Sequence, residues 1–208
     1  MNSYPQRVRE NILPLSVAGT LPEAFQEWYF TEETHDYESC EAECELCNQE
    51  ELRYHFKIKN RDTFNELWVG SHCILKFEVP VYDQGMILDR KGAKKKLEQL
   101  KKKMQLESCI KALTNLAAKE NNDILRNALN YYKINKYLTP KFAYVVFWRL
   151  DANNIDYKSS FFKVSLRKSK YKDDLRSMPT TRVHRIWKAF NRAQRDIAIN
   201  MGHKPPVN

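Results

Sequence analysis

The sequence predicts a mostly helical α+β protein, in which a zinc-stabilised β-hairpin module precedes a basic helical region. Three features predict it: a Cys pair whose third thiol follows an alternating segment, helical periodicity through most of the second half, and an excess of Lys and Arg there. The expected divisions are an extended lead-in (1–19), a zinc-finger-like α/β module (20–85) and a basic, mainly helical domain (90–204) with one short strand near 160–167.

The composition is that of an ordinary globular protein. The chain has 208 residues, 42% of them hydrophobic and 12% aromatic, which excludes general disorder. No stretch of eighteen apolar residues is present, and the N-terminus lacks the pattern of a signal peptide. We therefore expect a soluble cytoplasmic protein without a membrane partner. In a reducing compartment, a clustered set of cysteines binds metal more often than it forms disulfides.

The first helix is predicted near Pro22–Trp28. The preceding Thr20-Leu-Pro-Glu23 combines an N-cap residue, a proline in the first turn and a glutamate at the capping-box position. Eleven Asp and Glu residues, with no Lys or Arg, lie within 23–51. An acidic loop is therefore expected after the helix.

A β-hairpin is predicted after the first two clustered cysteines. Apolar and polar residues alternate through Leu52–Lys59, the sequence 60–63 is typical of a turn, and 64–69 supplies the returning strand. Ser71 is a suitable N-cap for a short helix through Phe77.

Helices dominate the second half. Residues 91–120 lack proline and space their apolar residues helically, with a phase slip near Met104 that one stuttering helix or two helices would explain. Thr139-Pro140 begins a helix whose apolar sequence, FAYVVFWRL, predicts a buried position. The other expected elements are helices at 122–136, 171–178, 181–190 and 192–201 and a strand at 160–167.

The cysteine spacing predicts a metal site. Cys44 and Cys47 are spaced as in a zinc knuckle, whose backbone N–H groups point toward the sulfurs. An antiparallel hairpin returns the chain to its start, so the short helix that follows brings Cys73 back to this pair. This order of knuckle, hairpin and helix is that of a treble-clef-like finger. We expect these thiolates to bind one structural Zn²⁺.

The fourth ligand has three candidates. We rank Cys40 first, because it extends the cluster to C-x3-C-x2-C, then His72 at the helix start, then His55 in mid-strand. Two other interpretations remain open: ordinary thiols with Cys73 in the core, or a redox pair, although the strand-to-helix context of thioredoxin-like motifs is missing. Cys109 lies on the apolar side of a helix and is expected to be structural.

The string CELC…LRYHFKIKN…LWVGSHCILKF resembles a module of uncharacterised phage- and plasmid-borne proteins, usually written CxxCG, a short hairpin and VGxxC. The resemblance covers about residues 44–77. Asn48 stands where the module usually has glycine, and Ser71 where some relatives have a further cysteine. The resemblance implies a small structural zinc module in a protein of mobile-element origin, acting in a bacterial host cell, and implies no reaction.

The formal charge of +9 is concentrated in two stretches. The first lies on the predicted helix 91–120, where lysines recur seven residues apart on overlapping faces. The candidate nucleic-acid contacts there are Lys94, Lys95, Lys101 and Lys102. Such a face can follow a phosphate backbone, or it can be an ordinary solvated helix surface.

The second basic stretch, 158–195, has twelve Lys and Arg residues against two Asp, interleaved with aromatic residues. Its candidate phosphate contacts are Lys168, Lys170, Arg182, Arg185, Arg192 and Arg195. The aromatic residues could stack on unpaired bases, although their spacing is more typical of core packing. The last two helices resemble a helix-turn-helix in outline, with Arg192, Gln194 and Arg195 at the start of the second.

These features predict a zinc-containing nucleic-acid-binding protein acting as a regulator, replication accessory or antidefence factor. The alternative is a protein-interaction module whose acidic segment, 23–51, docks onto a basic surface of a host protein. An enzyme is not expected, because the sequence has no phosphate-cradling Gly-rich loop and no Gly-x-Ser-x-Gly. A metal-dependent nuclease built from scattered Asp and Glu residues stays open.

Overall fold

The computed structural model describes residues 3–207 and divides into two compact units, Met1–Gln105 (unit 1) and Leu106–Asn208 (unit 2). The fold is α+β and mainly helical, as expected, with a small three-stranded antiparallel sheet in unit 1. Within the described part of the chain, no helix combines the length and the apolar character needed to cross a membrane.

Unit 1 contains the three-stranded sheet, with strand order β1-β2-β3, and a separate two-stranded ribbon. Its elements are α1 (Tyr4–Ile12), a 3-10 turn (Leu13–Leu15), α2 (Leu21–Glu27), β1 (Trp28–Asp36), β2 (Tyr54–Asn60), β3 (Glu66–Val69), α3 (Ser71–Lys76), β4 (Tyr82–Asp83), β5 (Met86–Ile87) and the first part of α4 (Arg90–Lys119).

The predicted hairpin is confirmed as β2 and β3, which pair antiparallel with Phe56 opposite Val69 and Ile58 opposite Leu67. Their turn depends on Asn60, whose side-chain oxygen accepts hydrogen bonds from the backbone N–H groups of Asp62 and Thr63. Phe56, Ile58, Leu67 and Val69 are buried, so the alternation in the sequence correctly identifies the core face.

The acidic loop expected after α2 is wrong over residues 28–36, because this segment is β1 and pairs with β2. Trp28 and Phe30 are buried, and the pairing register then shifts between Phe30 and Thr34. Glu32 has a positive φ of 69° within this irregularity. The run of polar residues after Phe30 hides the strand from pattern analysis, because a bulge interrupts its alternation.

The extended lead-in expected for residues 1–19 is also wrong in the described part, where α1 begins at Tyr4. Pro5 lies at the start of this helix, where proline is favoured, and Val8 and Ile12 are four residues apart on its buried face. Two apolar residues one helical turn apart are too few for a helical period to be recognised in the sequence. The helix contributes both residues to the core of unit 1.

The unit boundary lies inside α4, whereas the sequence-based division lies between residues 85 and 90. Ala93, Leu97 and Met104 on the first part of α4 are buried in the core of unit 1. The sequence therefore becomes basic near residue 90, whereas the chain leaves the core of unit 1 only near residue 105. The structure also has one continuous helix here, rather than two meeting near Met104.

Glu27 connects three segments of unit 1. Its carboxylate accepts hydrogen bonds from the backbone N–H groups of Val17 and Ala18, at 2.9 and 2.7 Å, and from the Asn60 side chain at 2.7 Å. Partial burial by itself would raise the pKa of Glu27, but these donors lower it below its ordinary value.

Glu27→Gln should destabilise unit 1 by about 1.5–3 kcal/mol at pH 7, the usual range for hydrogen bonds to a charged group. Because the folded-state pKa of Glu27 is lowered, its stabilisation is present above the unfolded pKa and is lost as the pH falls through the folded one. The difference from wild type should therefore be constant from pH 7 to about pH 5 and shrink as the pH falls below the ordinary value of 4.5. Urea unfolding followed by NMR signals of β1 and β2 measures it. Glu23→Gln, in the same helix, is the control, and equal effects of both substitutions would contradict the assignment.

Unit 2 is helical. Its elements are the second part of α4, α5 (Asp123–Asn135), α6 (Pro140–Ala152), a 3-10 turn (Ser159–Phe161), α7 (Ser169–Arg176), α8 (Thr180–Ile186), a 3-10 turn (Trp187–Ala189) and α9 (Arg192–Asn200). The helix predicted to be buried is confirmed as α6, which contacts α5, α7 and α8. Thr139 caps α6, and the capping box predicted at Asn191 and Gln194 is present at α9.

The strand predicted at 160–167 is wrong. Residues 159–161 form a 3-10 turn, and Val164 makes only an isolated parallel bridge to Leu138. Phe162, Val164 and Leu166 are nevertheless buried, as an alternating pattern requires. The segment is extended along the core of unit 2 but has no neighbouring strand with which to form a ladder among the described residues.

Candidate metal centre and basic clefts

Three buried cysteines meet in unit 1. The Cys44 and Cys73 sulfurs are 3.7 Å apart, those of Cys73 and Cys47 are 3.4 Å apart, and all three lie within 4.8 Å of one another. Thiolates bound tetrahedrally to one zinc ion at about 2.3 Å lie about 3.8 Å apart. This three-cysteine cluster (Cys44, Cys47 and Cys73) could therefore hold a metal ion.

The hairpin is what closes the cluster. Cys44 and Cys47 lie in the turn before β2, and an antiparallel bridge between Ala42 and Leu52 ties the base of this turn. Cys73 lies in the first turn of α3, directly after β3. Gly70, between β3 and α3, packs closely against Leu52, since a Cβ atom at position 70 would lie 3.2 Å from a Leu52 methyl group. Residues 29 positions apart in the chain are thereby brought together.

Backbone donors surround the sulfurs as in a zinc knuckle. The Gly70 N–H donates to the Cys44 sulfur at 3.5 Å, and the N–H groups of Leu46 and Cys47 donate to the same sulfur. The pKa of Cys44 is lowered to about 5, chiefly because the Cys73 thiol donates a hydrogen bond to it, with these N–H groups adding to the effect against burial.

The neighbouring thiols are protonated more readily than Cys44. The pKa of Cys73 is raised, because its thiol donates to Cys44 and because it is buried. Burial also raises the pKa of Cys47. A bound cation would replace the protons of this cluster, since metal ligands bind as thiolates, and metal binding would release those protons.

None of the three sequence-based candidates for the fourth ligand belongs to the three-cysteine cluster in the structure. Cys40 and His72 are exposed. His55 is buried on β2, with its Nδ1 3.3 Å from the Tyr37 hydroxyl oxygen and its ring stacked on Trp68. Burial lowers the pKa of His55. Coordination by any of the three candidates stays a prediction.

Sequence reasoning missed Tyr4 at this site. The Tyr4 hydroxyl lies 3.6 Å from the Cys73 sulfur, and the Tyr4 ring stacks with Phe77, which follows α3. The sequence did not indicate that Tyr4 lies near the cysteines, because the first nineteen residues were expected to be extended. A proline directly after a tyrosine and before a Val8–Ile12 spacing was the available signal for a helix here.

The lysines predicted to bind nucleic acid on α4 belong to unit 1. Lys94, Lys95 and Lys102 are exposed, while Lys101 forms an ion pair with Glu98 at 2.9 Å. Unit 1 as a whole has fifteen Lys and Arg residues against eighteen Asp and Glu. This helix face is therefore a local basic stripe on an acidic unit.

The predicted arginines of unit 2 have different surroundings. Arg185 forms an ion pair with Asp151 at 2.7 Å, and the Arg182 guanidinium lies 5.0 Å from the Tyr144 ring centroid. Arg192 and Arg195 are exposed on α9. Gln194, the third predicted contact of the helix-turn-helix interpretation, is held by the capping box and by a 2.6 Å hydrogen bond to the Val164 carbonyl.

Two clefts of unit 2 are each lined by three cationic side chains. The first, of about 420 Å³, is lined by Lys136, Tyr137, Lys163 and Arg167 among others. The second, of about 450 Å³, is lined by Tyr131, Lys141, Phe142, Lys168, Lys170 and Tyr171 among others. The predicted contacts Lys168 and Lys170 thus lie together in one cleft. Lys163 and Arg167 also come from the basic stretch 158–195, whereas Lys136 and Lys141 lie outside it, so composition alone did not connect all six cations.

A group of tyrosines lies where the two clefts adjoin. The Tyr131 and Tyr171 hydroxyl oxygens are 2.7 Å apart, and the rings of Tyr131 and Tyr137 meet edge to face at 5.9 Å between centroids. Tyr137 lines the first cleft and the other two line the second. We call these three residues the tyrosine trio.

No protein-family model, no curated protein and no solved structure matches the chain. A function is therefore assigned from the three-cysteine cluster and the clefts of unit 2 alone.

Proposed function

We propose that this chain is a nucleic-acid-binding protein in which unit 2 contacts the phosphate backbone and a structural zinc ion organises unit 1. One observation carries the proposal. Unit 2 has twenty Lys and Arg residues against eight Asp and Glu, and six of these cations line two adjoining clefts. Such a concentration of positive charge is the electrostatic footprint of a phosphate-binding surface.

The zinc assignment depends on the chemistry of the donor set. Three thiolates are soft ligands, and in a reduced protein they favour zinc over the hard cations Mg²⁺ and Ca²⁺. The N–H groups directed at Cys44 are the usual second sphere of such a site. A fourth protein ligand would make the site structural, since catalysis needs an open position. The resemblance to phage and plasmid proteins supports a mobile-element origin and action in the bacterial cytoplasm.

Binding should be strongly salt-dependent. If the clefts neutralise about five phosphates of a single strand, the logarithm of the association constant should fall against the logarithm of salt concentration with a slope of about −3 to −4. Fluorescence anisotropy with a labelled 15-nucleotide strand, from 50 to 300 mM KCl, measures it. A labelled neutral polymer of similar size is the control. Absence of binding at 50 mM KCl would end the proposal.

The alternative, docking of the acidic segment 23–51 onto a host protein, has less support from the contacts. Glu33 pairs with Lys57 at 2.7 Å, and Asp36 pairs with Arg53 at 2.9 Å. The Glu45 carboxylate accepts a hydrogen bond from the backbone of β3. Several carboxylates of the segment therefore stabilise unit 1 itself.

A further inference from the structure

We propose that the two clefts of unit 2 hold neighbouring phosphates of one unpaired nucleic-acid strand, which crosses the tyrosine trio between them. This inference rests on the proposed function and specifies its ligand as single-stranded rather than duplex. It assigns a binding role to residues that were not among the contacts predicted from the sequence: Lys136, Lys141, Lys163, Arg167 and the tyrosine trio.

The charges of the clefts suit two anionic groups. Three cationic side chains line each cleft. Those of the first cleft, Lys136, Lys163 and Arg167, are all exposed. The second cleft has one acidic residue in its lining, Asp174, whose carboxylate is already paired with Lys141 at 2.7 Å. A phosphate entering either cleft therefore meets a net positive charge.

The hydroxyl groups offer directed donors as well as charge. The Tyr131 and Tyr171 hydroxyl oxygens are 2.7 Å apart, and either hydroxyl can be the donor in this contact. The hydroxyl that accepts in this contact keeps its own proton available for another acceptor. The Lys168 ammonium lies 5.7 Å from the centroid of the Tyr171 ring, on the same cleft. A phosphate oxygen there would have both a hydroxyl and an ammonium donor.

The shape of the clefts favours an unpaired strand. Their volumes of about 420 and 450 Å³ fall within the range of about 300–1,000 Å³ that is typical of small-molecule pockets, so each has room for a nucleotide-sized group. A single strand is flexible and can turn its phosphates and bases into such concave sites, whereas the phosphates of a duplex lie on a convex cylinder with the bases stacked inside. Half-buried Tyr131 and Phe142 add aromatic surface to the second cleft.

The test compares two double variants of the full chain with the same loss of charge. Lys168→Gln/Lys170→Gln removes two cations of the second cleft. Lys119→Gln/Lys133→Gln removes two exposed lysines of unit 2 that line neither cleft. The probes are a labelled 15-nucleotide DNA strand, the RNA of the same sequence and the corresponding DNA duplex, measured by anisotropy at 100 mM KCl.

We expect the cleft variant to lose at least 10-fold in affinity for the single strands and the control variant less than 3-fold. Tyr171→Phe, which keeps the buried ring and removes the hydroxyl, should lose 3-fold or more. Wild type should prefer the single strands to the duplex by at least 10-fold. Circular dichroism confirms that each variant is folded.

The outcomes separate the two proposals. If wild type binds none of the three probes, the proposed function fails and the cleft assignment fails with it. If wild type binds but both double variants weaken equally, nucleic-acid binding stands and the cleft assignment is overturned. Equal affinity for duplex and single strand would also overturn it.

Discussion

Cys44→Ser is expected to abolish stoichiometric zinc binding and to leave unit 1 unfolded or largely loosened. The variant removes the sulfur that receives hydrogen bonds from both Gly70 and Cys73. Structural zinc contributes about 10–16 kcal/mol of binding free energy in zinc-finger peptides. Whole domains are stable by only about 5–15 kcal/mol, so unit 1 cannot absorb such a loss.

Plasma mass spectrometry of the purified proteins measures the metal, with about one zinc per chain expected for wild type and less than about 0.1 for the variant. Amide hydrogen exchange of β2 and β3 reports the stability of unit 1. Cys109→Ala is the matched control, because it also removes a buried thiol but lies in unit 2, outside the three-cysteine cluster. Full zinc occupancy in Cys44→Ser would contradict the proposed site.

The same measurement examines the fourth ligand. Cys40→Ser and His72→Ala should each be prepared, since both residues are exposed and neither substitution disturbs the core. A ligand is identified by a loss of zinc affinity in competition with a chelator. If both variants match wild type, a group other than these two completes the coordination.

Phe147→Ala is expected to destabilise unit 2 by about 3–5 kcal/mol, the usual cost of deleting a buried phenylalanine side chain. Phe147 is 1% exposed and lies on α6, the helix that contacts α5, α7 and α8. Its ring meets Phe162 edge to face at 6.0 Å and stacks on Tyr157 at 5.4 Å. The substitution would therefore leave a cavity in the middle of the core of unit 2.

Trp148→Ala is the control for this substitution, because the neighbouring side chain is larger but 40% exposed. We expect it to cost less than half as much. Hydrogen exchange of the α5 and α6 amides at increasing denaturant concentration measures the stability of unit 2 alone. A cost below about 1 kcal/mol for Phe147→Ala would show that α6 is not the centre of this core.

Much of the fold could be predicted because its signals are local. The hairpin follows from alternation in Leu52–Lys59 and from turn residues after it, and both are present. The capping box at α9 and the cap of α6 were likewise visible as short patterns. Each depends on hydrogen bonds or burial within one short, continuous stretch of chain, which is the range that sequence patterns describe.

The errors occurred where pairing with a distant segment decides the structure. The sequence of β1 has a bulge and a polar end, so only its partner β2 makes it a strand. The segment 160–167 alternates like a strand but lacks a partner ladder. The β propensity of a segment describes its fit to a pleated surface, which tertiary contacts must provide.

The sequence by itself determined which residues could form a metal site and which half of the chain is basic, because thiol spacing and charge are properties of the residues alone. Only the tertiary structure decided that Cys40 lies outside the three-cysteine cluster while Tyr4 lies beside it. It alone also placed Lys136 and Lys168, on different segments, around one group of tyrosines. The physical reason is that convergence of distant segments is set by burial of a shared core, and no single stretch of sequence encodes that packing.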